Sequence, residues 1–327
     1  MMKKYWLVGT SALLALSLAA CNGEKESEPA TADTSESASV NKSSEKADAE
    51  QTIKYLGESY TLPAKVDNIV AASLESMEDA AVLGIKPTGV LSIGNAIPTY
   101  LEKELEGAAL IGDKREPNKE AILALDPDVI LGSSKYTEEV AANLNKVQTM
   151  IPYSHISTNW KENLTLLGDL TGKESEASTV ISDYEKKAAD AKAEMSADFK
   201  DKDILVLRIR GGAIYAYPAG VYLNPVIYED LGAPVPEVIT QTEAQAELSL
   251  EALTKINPDV IFLQFETSEN PESPAALDDL MANPIFSKLD AAKNKKVFVN
   301  SVDPLAQGGT AWSKIKFLDA AIENLSK

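Results

Sequence analysis

From about residue 52 onward, short apolar runs alternate with stretches in which apolar residues recur every three or four positions. The runs "NIVAAS", "PTGVLSIG", "AALIGD", "DVILGSS" and "TMIPYSH" read as strands, with "LESMEDAAVLG" and "NWKENLTLLGDLTG" as amphipathic helices among and behind them. The second half repeats the rhythm with "DILVLRIR", "NPVIYEDLG", "DVIFLQFE", "KKVFVNS" and a helix from about Ala311. Strand–helix alternation of this kind predicts parallel βαβ units.

The two halves also share words. "EAILALDPDVI" at Glu120 to Ile130 returns as "EALTKINPDVI" at Glu251 to Ile261, an offset of 131 residues. Self-similarity in register predicts two related α/β lobes. Between them, Val180, Tyr184, Ala188, Ala191, Met195 and Phe199 form a stripe at helical spacing. About 25 residues at 1.5 Å each predict a connecting helix of roughly 37 Å that braces both lobes. The expected organisation is an N-terminal lobe over 52–172, a helix over 173–200 and a C-terminal lobe over 201–327.

The N-terminus changes the picture. Lys3 and Lys4 precede an apolar run from Tyr5 to Ala20, a secretory signal pattern too short for a comfortable membrane span. "LAAC" follows, placing the only cysteine, Cys21, where a lipobox would have it diacylated. Two acyl chains suffice for stable anchoring. The segment 21–51 is rich in Ser, Glu, Ala, Thr and Asp and is expected to be a disordered tether reaching roughly 30 Å. The formal charge is −19, and losing the two lysines of residues 1–20 makes it −21. Such a surface repels nucleic acid and anionic headgroups, so membrane attachment would rest on lipid alone.

Among 50 acids, bases gather just past the predicted strands: Lys114 and Arg115, then Lys135 with Tyr136, then Arg208 and Arg210. Ligands bind beyond the carboxyl ends of parallel strands. The two arginines alternate along one strand and face one side. Unpaired charge inside an apolar strand is costly, so they are expected to serve a ligand or to pair with cleft carboxylates. Tyr215, Tyr217 and Tyr222 crowd the next loop, and Gln307 and Trp312 follow the last strand. Bases interleaved with aromatics suit an anionic, partly aromatic or amphipathic ligand. Enzymatic chemistry is not expected. There is one histidine, His155, and no phosphate-loop or nucleophile motif, and with Cys21 lipidated no thiol remains.

With the lipobox, tether and helical linker, "GDKREPNKEAILALDPDVI" and "LSLEALTKINPDVIF" resemble the iron-siderophore and cobalamin-type substrate-binding lipoproteins of ABC importers in Gram-positive bacteria. The likeness covers roughly residues 52–327. It implies an α/β fold of two Rossmann-like lobes joined by one long helix, with the ligand cleft between them. It implies a monomeric receptor on the outer face of the cytoplasmic membrane, without enzymatic activity or resident cofactor, its iron arriving as a siderophore chelate. Glu120 and Glu251 would dock onto arginines of the two permease subunits, which work with an ATPase. The ligand contacts would come from Lys114, Arg115, Lys135, Tyr136, Arg208, Arg210, Tyr215, Tyr217, Tyr222, Gln307 and Trp312. Citrate-type members carry arginines before the C-terminal helix where this chain has Gln307, Gly308, Gly309 and Trp312. That difference, and the tail "VNSVDPLAQGGTAWSKIKFL", favour a hydroxamate or mixed hydroxycarboxylate complex. Haem, with Tyr217 or His155 as axial ligand, and cobalamin stand as alternatives. An exported α/β enzyme acting on a small anion is the rival from another class.

Overall fold

The computed structural model describes residues 50–326. The leader, Cys21 and the tether up to residue 49 lie outside the described residues. The chain opens with an antiparallel hairpin, β1 (Glu50–Tyr55) and β2 (Glu58–Pro63). Leu56 and Gly57 have φ of 48° and 88°, the positive values that a tight two-residue hairpin needs. Glu50 and Gln51, read from sequence as the end of the tether, pair with Pro63 and Leu62.

The first lobe follows as β3 (Ile69–Ala72), α1 (Leu74–Leu83), β4 (Gly89–Ser92), β5 (Ala109–Asp113), α2 (Lys119–Leu123), β6 (Val129–Ser133), α3 (Glu138–Asn145), β7 (Met150–Tyr153) and α4 (Trp160–Thr171). Its sheet is parallel throughout, in the order β5-β4-β3-β6-β7. Val70, Val90, Ile130, Leu131 and Ile151 have no exposed surface, as expected of parallel strands covered on both faces.

Helix α5 (Glu174–Met195) then crosses to the second lobe. Its 22 residues span about 33 Å. Tyr184, Ala188, Ala191 and Met195 of the sequence stripe are buried, and Phe199 is buried in a 3-10 turn just beyond. Val180 is only half-buried.

The second lobe contains β8 (Ile204–Arg210), β9 (Ala213–Ala216), α6 (Glu237–Thr240), β10 (Ala246–Glu247), α7 (Leu250–Ile256), β11 (Val260–Phe265), α8 (Ala276–Ala282), α9 (Asp290–Lys293), β12 (Val297–Val299) and α10 (Ala311–Leu325). The sheet order is β10-β9-β8-β11-β12. Strands β8, β11 and β12 run parallel, whereas β9 folds back on β8 and β10 on β9. The all-parallel expectation fails at Gly211–Gly212. Both glycines have positive φ (55° and 81°), so the chain turns tightly there instead of crossing over a helix.

The repeated words occupy equivalent places. Each begins at a short helix, α2 or α7, whose cap residue accepts a backbone N–H: Asn118 from Ala121 at 2.9 Å, Ser249 from Ala252 at 3.1 Å. Asp126 and Asn257 then take left-handed φ of 47° and 48° ahead of the proline. The following aspartate ties down the neighbouring strand. Asp128 accepts from the backbone of Asp67 and Asn68, both at 2.7 Å, and Asp259 accepts from Asp203 at 3.0 Å. The repeat therefore joins β6 to β3 in one lobe and β11 to β8 in the other.

The lobes meet directly as well as through α5. Helix α10 packs on α1, and the buried acids of α1 cap its start. Asp79 accepts from the Ala311 N–H at 2.8 Å, and Glu78 accepts from the Gln307 N–H at 3.0 Å and from the hydroxyls of Thr310 and Ser313. Burial pushes the Glu78 carboxyl up to about 7, against the pull of these donors and of Tyr100. Burial raises Asp79 well above the ordinary range too. Gly308 and Gly309 let the chains cross at this junction. A Cβ on Gly308 would lie 2.4 Å from the Tyr222 carbonyl, and one on Gly309 would lie 2.9 Å from the His155 oxygen.

Candidate functional site

Where the strand ends of the two lobes face one another, a cavity of about 380 Å³ opens. The first lobe supplies Ser73 after β3, Lys114 and Arg115 after β5, Ser133 at the end of β6, and Lys135 and Tyr136 beyond it. The second supplies Arg208 and Arg210 at the end of β8, Glu269 after β11 and Gln307 after β12. Cavities at the α4–α5 face (about 490 Å³) and beside α2 (about 520 Å³) are larger, but neither gathers strand ends from both lobes. Chemistry, not size, selects the interlobe cleft.

Four of the five cations in the cleft meet a carboxylate. Lys135 Nζ lies 2.8 Å from Glu75 Oε1, and Gln307 Oε1 stands 3.4 Å away on the other side of the cleft. Lys114 Nζ reaches across to Glu269 Oε1 at 2.9 Å. Arg208 Nη2 meets Glu269 Oε2 at 2.7 Å, and Arg210 Nε lies 3.5 Å from the same oxygen. Burial alone would raise Glu269, but Arg208, Lys114 and Arg210 together hold it below the usual carboxylate range. Arg208 is further fixed by donating to the Pro304 carbonyl at 3.1 Å and by lying over the Tyr222 ring, 5.2 Å from its centre. Five cations against two carboxylates leave the lining with three net positive charges. The cleft is therefore built to hold an anion.

Seven of the eleven ligand contacts expected from sequence come together here: Lys114, Arg115, Lys135, Tyr136, Arg208, Arg210 and Gln307. Four do not line the cavity. Tyr215 sits on β9, paired with Arg208 across the ladder. Tyr217 and Tyr222 are buried, their rings 5.2 Å apart, and form the wall behind Arg208. Trp312 packs on Tyr100, 4.8 Å between centres, at the lobe junction. An aromatic behind an arginine and one in front of it read alike along a chain. Trp160 is likewise a core residue, lying against Tyr184. Neither residue proposed as a haem ligand lines the cavity: Tyr217 is buried, and His155 has its Nδ1 2.8 Å from the Ser134 hydroxyl.

The cleft acids Glu75 and Glu269 escaped the sequence reading. Glu75 looks like a favourable first-turn acid of α1, and Glu269 sits in a polar loop after β11. Position after a strand end is the one signal the sequence offers for Glu269, and a lone acid there does not stand out among 50 acids. Glu120 and Glu251 are both exposed, each second in its short helix, away from the cleft.

Two α/β lobes on one bracing helix, with a charged cleft between the strand ends, are the architecture of a two-lobed binding protein. The chain belongs to the periplasmic binding protein family, whose model matches residues 69–301. It is 44% identical over 327 residues, the full length of both chains, to the iron-uptake system-binding protein of Bacillus subtilis. The crystal structure of FeuA, the triscatecholate siderophore binding protein of Bacillus subtilis in complex with ferri-bacillibactin, superposes with a TM-score of 0.81 at 46% identity, covering 84% of this chain and 98% of that one. Staphylococcus aureus SirA complexed with staphyloferrin B matches with a TM-score of 0.72 at 25% identity, covering 84% and 98%. The preference for a hydroxamate complex, expected from the C-terminal tail, finds no support. The ligand in the 46% identical structure is a triscatecholate.

Proposed function

We propose that this chain is the receptor of an iron-uptake ABC importer and that its ligand is a ferric tris-catecholate siderophore. The net positive cleft is the observation that carries the reading. Three catecholate dianions on one ferric ion leave the complex trianionic, which matches the three net charges of the lining. A tris-hydroxamate complex of the same iron is uncharged and would leave the net charge of the lining uncompensated. The likeness to FeuA supports the same ligand class. Lys114, Arg115, Lys135 and Arg210 are the cations of the lining that a ligand can reach and are assigned to the catecholate oxygens. Charge-assisted bonds of roughly 1.5–3 kcal/mol each bring nanomolar affinity, about −12 kcal/mol, within reach.

Delivery is assigned to Glu120 and Glu251. Their equivalent places on the two lobes suit a membrane partner with two equivalent subunits. Cys21 is assigned as the lipid attachment, holding the protein at the outer face of the cytoplasmic membrane.

Titration of tryptophan fluorescence with a ferric tris-catecholate, a ferric tris-hydroxamate, ferric citrate, haem and cobalamin tests the ligand class. Saturable quenching at nanomolar concentration by the catecholate alone is expected; tighter binding of the hydroxamate would overturn the assignment. For delivery, the Glu120→Ala/Glu251→Ala double variant should bind as wild type yet fail to support iron uptake. Cys21→Ala should shift the protein from the membrane fraction to the medium.

A further inference from the structure

Glu269 has the contacts of a bound anion. Its side chain is 7% exposed, and its two oxygens take one cation from the first lobe and two from the second. We propose that Glu269 is an internal competitor of the ligand: it straps the empty cleft by bridging Lys114 to Arg210, and an incoming anion displaces it from both while Arg208 retains it. The inference rests on the anionic-ligand reading above and adds a device for release.

The geometry separates what is fixed from what can move. The turn that carries Glu269 is pinned by Asn270, which donates to the carbonyls of Ile209 (3.1 Å) and Glu266 (2.8 Å) and accepts from the Gly212 N–H (3.0 Å). The Glu269 carbonyl accepts from Gly211 at 3.1 Å. Backbone displacement would break all of these, whereas a side-chain rotation breaks none. Of its three partners, Arg208 is deepest at 9% side-chain exposure, and Lys114 (23%) and Arg210 (35%) are the ones a ligand can reach. Glu75 pairs with Lys135 inside one lobe and straps nothing.

An internal carboxylate lowers affinity, because the ligand must break two ion pairs to form its own. As the ligand leaves, the same carboxylate takes over the cations while their bonds to the ligand break, which lowers the barrier to departure. The device therefore acts on the dissociation rate.

Stopped-flow and equilibrium titration with a ferric tris-catecholate, on wild type and Glu269→Gln, test this. Glu269→Gln is expected to bind about tenfold tighter, about 1.4 kcal/mol, mainly through slower dissociation. Glu269→Asp keeps a partner for Arg208 but falls one methylene short of Lys114, and should move in the same direction if the glutamine variant is too unstable to assay. Affinity unchanged or weakened in folded variants would overturn the displacement. A ligand-free arm keeps the strap testable even if wild type binds none of the ferric probes, a result that would refute the functional reading instead. In a full chain carrying Cys21→Ser, spin labels at Glu139→Cys and Asp278→Cys, both exposed and one on each lobe, should report a longer, broader distance in Glu269→Gln than in its parent. Identical distributions would overturn the strap.

Discussion

Glu78 shows how far a single side chain can depart from its apparent role. As the fifth residue of α1 it reads as part of a solvated face, yet it is wholly buried and accepts from four donors. Its carboxyl sits at about 7 against an ordinary 4.5, so between those values the folded state holds a proton that the unfolded chain has released. Stability from this group is full below about 4.5 and is lost as pH rises through about 7, a swing of roughly 3 kcal/mol. Melting curves from about pH 5 to pH 8 should therefore fall less steeply in Glu78→Gln than in wild type, and equal slopes would remove Glu78 from the account. Glu269 has the opposite sign: its stabilisation is present at neutral pH and lost on acidification, because its cations hold it ionised. Arg208→Met would leave that buried carboxylate short of its strongest partner. A loss of about 3 kcal/mol in urea denaturation is expected.

At the scale of elements, α2 and α7 have five and seven residues, too few to persist alone. Each depends on its cap and on the strand that follows. Replacing Asn118 or Ser249 by Ala should cost about 1 kcal/mol, visible as faster amide exchange confined to the affected helix. On the proposed function, docking should weaken while ligand affinity stays unchanged, because the acids at these helix starts lie away from the cleft. An affinity change in either variant would show that the helices communicate with the cleft.

The whole molecule is held by its junction as much as by α5. The Glu78–Asp79 cap on α10 is joined by Asn163, which donates to the Gly309 carbonyl at 3.0 Å, and by Ser157, which donates to that of Tyr222. Gly308→Ala is the sharpest test, since its φ of 79° and the 2.4 Å approach to Tyr222 leave no room for a methyl group. The variant should lose at least about 2 kcal/mol in denaturation. A wild-type midpoint would mean the lobes yield easily at this point.

The sequence by itself determined the two lobes, the helix between them, the strands that end in the cleft and all five of its bases. Apolar periodicity, the 131-residue repeat and the cost of burying arginine are local signals, written in spacing. The repeat carries more than a pair of exposed acids, because its Pro-Asp-Val-Ile portion fastens the central strands of each lobe. Only the tertiary structure decided which tyrosines stand behind an arginine, which acids of α1 are buried, that β9 turns back, and that Glu269 reaches across the cleft to Lys114, 155 residues away in sequence. The physical reason is common to all four. Burial and pairing depend on what the rest of the chain brings alongside, and a carboxylate or a phenol has the same sequence signature whether it meets water, a helix start or a guanidinium.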